Sequence, residues 1–235
     1  MAESEILLSI IIPVYNEEKT LPEILERVLS IQWEFEVEII VVDDGSTDDS
    51  SKILKSFKDQ FIILKHDTNL GKGACIKSSL EVCVGEFIII QDADLEYYPE
   101  EIPKLVDVAL SGPFDVVFGS RFKNLIDKSS MYRSFYLGNL FLTWLTNMVT
   151  GKHLTDMETC FKLVRRKVVK NIKLFENGFG IEPEMTCKLA KIASLKWEEI
   201  PIKYHARSVQ EGKKIKWSDG FKAVFIILKT SYLED

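Results

Sequence analysis

The stretch Phe87–Glu101, FIIIQDADLEYYPEE, decides how this chain folds. Phe87 to Ile90 are apolar without a break, and the run then meets acids at alternate positions, Asp92, Asp94 and Glu96. An unbroken apolar run of this kind is a strand buried on both faces, as in parallel sheets. Side chains two apart leave a strand end on the same side, so Asp92 and Asp94 crowd like charges together. A hard divalent cation relieves that repulsion. Mg2+ or Mn2+ binds such carboxylates together with substrate phosphates.

The pattern repeats outward from this stretch. LLSIIIPVY (7–15), VEIIVVDD (37–44), FIILKH (61–66) and FDVVFGS (114–120) are further apolar runs, separated by helix-length segments. The alternation predicts an α/β fold: a Rossmann-like, mostly parallel sheet with helices on both faces. Ser46 or Thr47 is expected to cap a helix whose inner face is Ile53, Leu54 and Phe57. Pro99, Glu100 and Glu101 open another, with Ile102, Leu105, Val106, Ala109 and Leu110 turned inward.

Ligands of open parallel sheets bind beyond the carboxyl ends of the strands. Five strands here end in polar clusters: PVYNEE, DDGSTDD, HDTNLGKGA, QDADLE and GSRF. Five converging on one rim point to a site. In NLGKGA, Lys72 stands before a helix and is a candidate for a phosphate or base contact, although the spacing is not that of a phosphate loop. Arg121 presents a guanidinium fork that matches diphosphate oxygens.

The second half reads differently. Eighteen residues between Arg133 and Lys152 carry no charge, which approaches the length of a membrane span. Yet Asn139, Thr143, Thr146, Asn147 and Thr150 recur at helical spacing opposite Leu137, Leu140, Phe141, Trp144, Leu145 and Met148. That is an amphipathic helix, either packed on the sheet or resting on a bilayer surface. The C-terminal FKAVFIILKTSYLED holds another helical run, too short in apolar residues to cross a membrane.

With 235 residues, 46% of them hydrophobic, the chain can bury one large core, and 1–235 is expected to be a single domain. A net charge of −6 argues against nucleic-acid binding. Cys75, Cys83, Cys160 and Cys187 show no metal or disulfide spacing and are expected as reduced core residues. The acidic start, MAESEILLS, lacks the basic region of an export signal, so a cytoplasmic location is expected.

IPVYNE, VVDDGSTD, NLGKGA, DAD and GSR occur in that order, and through them the sequence resembles the family 2 inverting glycosyltransferases of GT-A type. It looks most like the dolichol- or polyprenyl-phosphate sugar synthases, over roughly residues 7 to 217. The resemblance implies a UDP- or GDP-sugar donor bound by the 1–120 half and an acceptor bound by the 121–235 half. Pro13, Tyr15, Glu17 and Asp44 would line the nucleoside pocket, with Lys72 and Asp92 nearby. Asp92, Asp94 and Glu96 would hold Mg2+ or Mn2+. In TDMETCFK (155–162), Asp156 matches an acidic motif near the sugar, with Glu158 as the competing acid and Arg121 as catalytic partner. Arg133 and Ser134 resemble acceptor-phosphate contacts. YHARSVQEGKKIKW (204–217) resembles a basic loop that closes over phosphates through Arg207 and Lys213.

The expected reaction is inverting transfer of a hexose to a polyprenyl phosphate, with peripheral contact at the inner face of the cytoplasmic membrane. A homo-oligomer stays open. So do two alternatives: a glycan or small-molecule hydroxyl as acceptor, with Asp156 as general base, and a non-catalytic sugar-nucleotide sensor. A DxD phosphatase is set aside, because its acids would follow the first strand.

Overall fold

The computed structural model describes residues 7–123, 133–207 and 217–233. β1 (Leu8–Val14), β2 (Val37–Asp43), β3 (Ile62–Lys65), β4 (Phe87–Ile90) and β5 (Val116–Ser120) are the five expected strands. Two more, β6 (Lys162–Arg165) and β7 (Trp197–Pro201), complete a seven-stranded sheet ordered β3-β2-β1-β4-β6-β5-β7. Only β6 runs antiparallel, between β4 and β5. Every residue of β4 and nearly every residue of β1 and β2 is buried, so both sheet faces are covered.

The covering helices follow from their periodicity. α1 (Leu21–Ser30) buries Leu21, Ile24, Leu25 and Val28 and has proline in its first turn. α2 (Ser50–Ser56) and α3 (Lys72–Val82) precede β3 and β4. A 3-10 turn at Pro99–Glu101 leads into α4 (Ile102–Ser111), which buries Ile102, Leu105, Val106 and Ala109. α5 (Arg133–Thr150), α6 (Arg166–Asn171), α7 (Ile181–Ala190) and α8 (Trp217–Tyr232) follow. Among them, α5, α7 and α8 pack on one another.

The chain runs from β1 through β2 to β3 on one side and returns to place β4 on the other side of β1. That reversal opens a crevice at the carboxyl ends of β1 and β4, where doubly wound sheets bind ligands. The loops carrying Tyr15 to Glu17 and Asp92 to Glu96 both leave from this point.

Several expectations need correction. Ser46 and Thr47 do not cap α2; they hydrogen-bond Asn16, tying the loop after β2 to the loop after β1. Asp48 instead accepts the N–H of Ser50 at 2.9 Å. Leu110 is 54% exposed, at the last turn of α4. β6 and β7 were not expected, because KLVR and WEEIP are short and half-charged. β6, from 121–235, lies between β4 and β5, so the two expected halves contribute strands to one sheet.

The expectation for α5 stayed open between the sheet and a bilayer; α5 turns part of its polar stripe inward together with Leu142 and Leu145. Thr143 and Thr146 are buried, whereas Leu137, Phe141, Trp144 and Met148 are more than half exposed. The cause lies in the loop beneath it. Asn147 donates to Leu154 O (2.7 Å) and accepts from Leu154 N (2.9 Å), and Thr143 Oγ1 accepts from Met157 N (3.1 Å). Thr143 and Asn147 of the polar stripe are thus spent on the backbone on either side of Asp156. Backbone groups at a buried turn need such partners.

Candidate active site

At the end of β4 the backbone turns sharply. Leu95 adopts φ 63°, a left-handed conformation that an apolar side chain rarely takes. Glu96 N then donates back to Asp94 Oδ1 at 3.1 Å. Tyr97 pairs with Tyr204 in an antiparallel bridge, and His205 N donates to Glu96 O. In this way the segment after β7 is laid along the acidic turn.

Arg207 is the cation that this pairing delivers. Its Nη2 lies 3.0 Å from Asp94 Oδ2 and its Nη1 3.4 Å from Glu17 Oε2, while its backbone N–H donates to Glu96 Oε1 at 2.8 Å. Glu96 also accepts the Tyr204 hydroxyl at 2.5 Å. Lys72 lies 2.7 Å from Asp92 and 3.0 Å from Glu182, and Glu182 pairs in turn with the buried Lys162. A chain of alternating charge thus runs from the rim into the core.

Acids outnumber bases at the rim itself. Burial, with Asp92 and Glu96 beside it, pushes the Asp94 carboxyl up to about 7. Burial works most strongly against ionised Asp92, but the charge and hydrogen bond of Lys72, with Cys160 and Arg207 adding to them, together hold that carboxyl below its ordinary value. The Asp92 and Asp94 side chains keep 24% and 18% of their surface exposed, enough for a ligand to reach. Hard, partly open oxygen donors with surplus negative charge fit a divalent ion.

Arg121 and Asp156 meet below this turn. Arg121 Nε and Nη2 each donate to Asp156 at 2.7 Å, and its backbone N–H adds a third bond at 2.9 Å. The guanidinium also sits over the Tyr97, Phe122 and Tyr204 rings. Glu199 of β7 accepts the N–H groups of Thr155 and Asp156, fixing the loop. Glu158, two residues on, has Oε1 buried without a hydrogen-bond partner. Burial pushes its carboxyl up to about 7, with the Lys162 ammonium pulling the other way.

Behind the rim, Asp44 accepts four hydrogen bonds: from Asn69 Nδ2, from the N–H groups of Leu70 and Gly71, and from His66 Nδ1. The other His66 nitrogen meets Ser78 Oγ at 2.9 Å. Asp44, His66 and Cys75 bring donor atoms within 4.8 Å of one another. With the lone pairs of Asp44 and both ring nitrogens already used, this trio is a hydrogen-bonded wall rather than a metal cage.

The structure therefore brings Glu17, Asp92, Asp94, Glu96 and Arg207 to one crevice, with Tyr15 on the same loop as Glu17, and it gives several other expected site residues partners within the protein. Asp44 orders the 66–71 loop around it through the hydrogen bonds it accepts. Lys72 is committed to two carboxylates and is 10% exposed, so it braces Asp92 instead of offering a free ammonium. Arg121 is 8% exposed and bound to Asp156, so it does not reach out for a diphosphate. Asp156 is fully buried and serves as its anchor, not as an open base. Glu96 is occupied by Tyr204 and Arg207, which weakens its expected part as a metal ligand. Pro13 lies in β1 and is partly exposed. Arg133 and Ser134 open α5, but their side chains and Lys213 lie outside the described residues.

Glu182, Tyr204 and Glu199 were not anticipated from the sequence. Glu182 reads as an ordinary acid in the first turn of α7. Gly71 explains part of the NLGKGA motif: φ is 101°, and a Cβ there would meet Asn177 O at 2.5 Å. That glycine lets the 176–178 loop close over the start of α3.

Comparison with known proteins accords with this arrangement. The chain is 36% identical over 167 residues to an undecaprenyl-phosphate 4-deoxy-4-formamido-L-arabinose transferase of Proteus mirabilis, covering 68% of this chain and 49% of that protein. It thus spans about half the length of such curated relatives. An uncharacterised protein of Methanocaldococcus jannaschii is 29% identical over 226 residues, 93% of this chain and 90% of that one. Among solved structures, glucosyl-3-phosphoglycerate synthase of Mycobacterium tuberculosis in complex with UDP superposes with a TM-score of 0.74 at 19% identity, covering 97% of this chain and 81% of that one. The fold is therefore shared with that enzyme. A sequence profile described as Glycosyl transferase family 2 matches residues 9–173, well over half of the chain, which places this protein in that family.

Proposed function

We propose that this protein moves a sugar from a nucleotide-diphosphate sugar to a polyprenyl phosphate, with inversion at the anomeric carbon. The observation that carries the reading is the acidic turn after β4, where Asp92 and Asp94 stay partly open and Asp94 is pushed up to about 7. The Proteus mirabilis relative is named for an undecaprenyl-phosphate acceptor. Solved structures of the same fold are described in complex with Mn2+ and UDP-glucose.

Asp92 and Asp94 would hold a divalent ion, Mg2+ or Mn2+, which when bound supplies positive charge to the diphosphate leaving group. The chain's own residues do the rest. Tyr15 and Glu17 border the donor crevice. Lys72 keeps Asp92 ionised and in place. Arg207 pairs with Asp94 Oδ2, and with an ion held by Asp92 and Asp94 its guanidinium would be available to phosphate oxygens. The Arg121–Asp156 pair and its aromatic rings form a fixed floor that excludes water. A lipid monophosphate, with a second pKa of about 6, is already mostly dianionic at neutral pH and needs cations rather than a base.

A hydroxyl acceptor is the second reading, favoured by one observation. Glu158, unpartnered at Oε1 and raised to about 7, has the character of a general base in the loop where Asp156 does not.

The deciding experiment supplies purified protein with labelled UDP- or GDP-sugars, Mn2+, and either a polyprenyl phosphate or hydroxyl acceptors. Organic-extractable product that survives base but not mild acid, and that chelation of the metal prevents, supports the lipid-phosphate reading. Label appearing only on hydroxyl acceptors moves the assignment to the second reading. Donor binding without any turnover in either arm leaves a sensor.

A further inference from the structure

Helices α5 and α8 present the same pattern to the outside. On α5 the exposed stripe is Leu137, Phe141, Trp144 and Met148; on α8 it is Phe221, Phe225, Leu228 and Tyr232. Both follow i, i+4, i+7, i+11, one face of a helix. The two helices pack against each other, with Leu142 and Leu145 of α5 and Ile226 and Ile227 of α8 buried. Of the eighteen large apolar residues that are exposed among those described, ten lie on these helices or at Leu233, directly after α8. Scattered exposed apolar residues need no explanation, but a concentration on two adjacent helices marks an interaction surface.

Charge identifies the occupant. Residues 123–133 lead into α5 and residues 207–216 lead into α8. Together they hold seven Lys and Arg against two acids, in a chain of net charge −6. The start of the second lead-in, Arg207, touches Asp94, and Phe122 beside the first lead-in packs edge-on against Tyr136 of α5. The apolar stripe of α5 therefore begins next to the candidate active site. No helix of the described residues is long and apolar enough to cross a membrane.

We infer that α5 and α8 form a two-helix platform that lies on an anionic phospholipid bilayer, its aromatic stripes at the headgroup–acyl boundary, with the positive charge that adjoins both helices in the sequence favouring anionic lipid. A second copy of the chain is the weaker occupant. A second copy would bring identical charges to this face and so offers no charge complementarity. The inference deepens the lipid-phosphate reading and rests on it for its purpose, because the platform sets the crevice beside the membrane that carries such an acceptor.

The test is flotation of the full chain with vesicles of phosphatidylcholine alone or with phosphatidylglycerol added, without acceptor or donor. Binding is expected only with the anionic lipid and weakens with salt. The double variant Trp144→Glu, Phe225→Glu should lower the bound fraction by about tenfold or more, with circular dichroism and melting temperature unchanged. Failure of the wild type to float, or equal flotation of the variant, overturns the platform. So does a wild-type dimer that the same substitutions dissociate, which would assign the face to a second copy. Turnover on a soluble short-chain polyprenyl phosphate separates the two ideas: flotation without turnover sinks the acceptor reading alone, and turnover without flotation sinks the platform alone.

Discussion

Helices α1 and α5 both alternate apolar and polar residues at helical spacing, yet α1 turns its apolar stripe from Leu21 to Val28 inward while α5 keeps Leu142 and Leu145 inside and leaves the rest of its apolar stripe outside. α1 buries Leu21, Ile24, Leu25 and Val28 against the core. α5 buries Thr143 and Thr146 and leaves Phe141 and Trp144 outside. Periodicity tells which face of a helix is apolar; it does not tell which face is inside. What decides is the demand of the neighbour. The four buried residues of α1 join the hydrophobic core, whereas the loop below α5 offers backbone groups that Thr143 and Asn147 satisfy.

That loop should therefore be the most sensitive point of the second half. Asp156→Asn would leave the Arg121 guanidinium buried without its counter-charge, a loss of about 3–5 kcal/mol. Chemical denaturation would show it as a lower midpoint with little change in slope. A variant as stable as the wild type would mean that the three rings around Arg121 suffice to hold it.

The comparison of helices is sharpened by a matched pair of substitutions. Ile24→Ala on α1 opens a cavity and should cost about 2–5 kcal/mol. Trp144→Ala on α5 removes a larger side chain but should change stability by less than about 0.5 kcal/mol in solution. Thermal melts of both variants without lipid test this directly. Comparable losses would mean that Trp144 packs inside the fold in solution.

Legibility in the sequence followed the same division. The five expected strands were readable because burial on both faces writes itself as unbroken apolar runs, as in IIIPV and FIII. The acidic turn was readable because like charges at a strand end have no structural reason to be there. β6 and β7 were not readable, since KLVR and WEEIP are stabilised by neighbours distant in the chain. For the same reason the partners of Arg121, Lys72 and Asp44 stayed hidden: each is satisfied by residues 20 or more positions away, and a single sequence does not report pairing. Residue types indicated charge and chemistry; only the fold shows which charges are already spent.

Asp94 gives a prediction tied to pH. Its folded-state carboxyl is raised from 3.8 to about 7, so without a bound ion its contribution to stability is present below 3.8 and is lost as pH rises through about 7. A divalent ion favours the carboxylate, so stabilisation by Mn2+ should grow over that interval. At saturating ion it should reach about 3 kcal/mol, the value for a ligand at a hundred times its dissociation constant. Melting temperatures measured with and without Mn2+ from pH 5 to pH 8 would show the difference widening, and Asp94→Asn should flatten it. A pH-independent increment would place the ion elsewhere.

Glu158 offers the smallest effect and the finest distinction between the two regions. Its carboxyl is raised from 4.5 to about 7, chiefly by burial, so ionised Glu158 costs the fold stability as pH rises through that range. Glu158→Gln has the same shape and no charge. Below pH 4.5 the variant and wild type should be equally stable; above pH 7 the variant should be more stable by about 1–2 kcal/mol, allowing for the partial exposure of the residue. Turnover then separates the acceptor readings at this one position. A lipid phosphate attacks without help from a base, so a stabilised Glu158→Gln protein should keep its rate with polyprenyl phosphate. Loss of rate despite the gain in stability would show that evolution retained a costly buried carboxylate for proton transfer, and it would turn the assignment toward a hydroxyl acceptor.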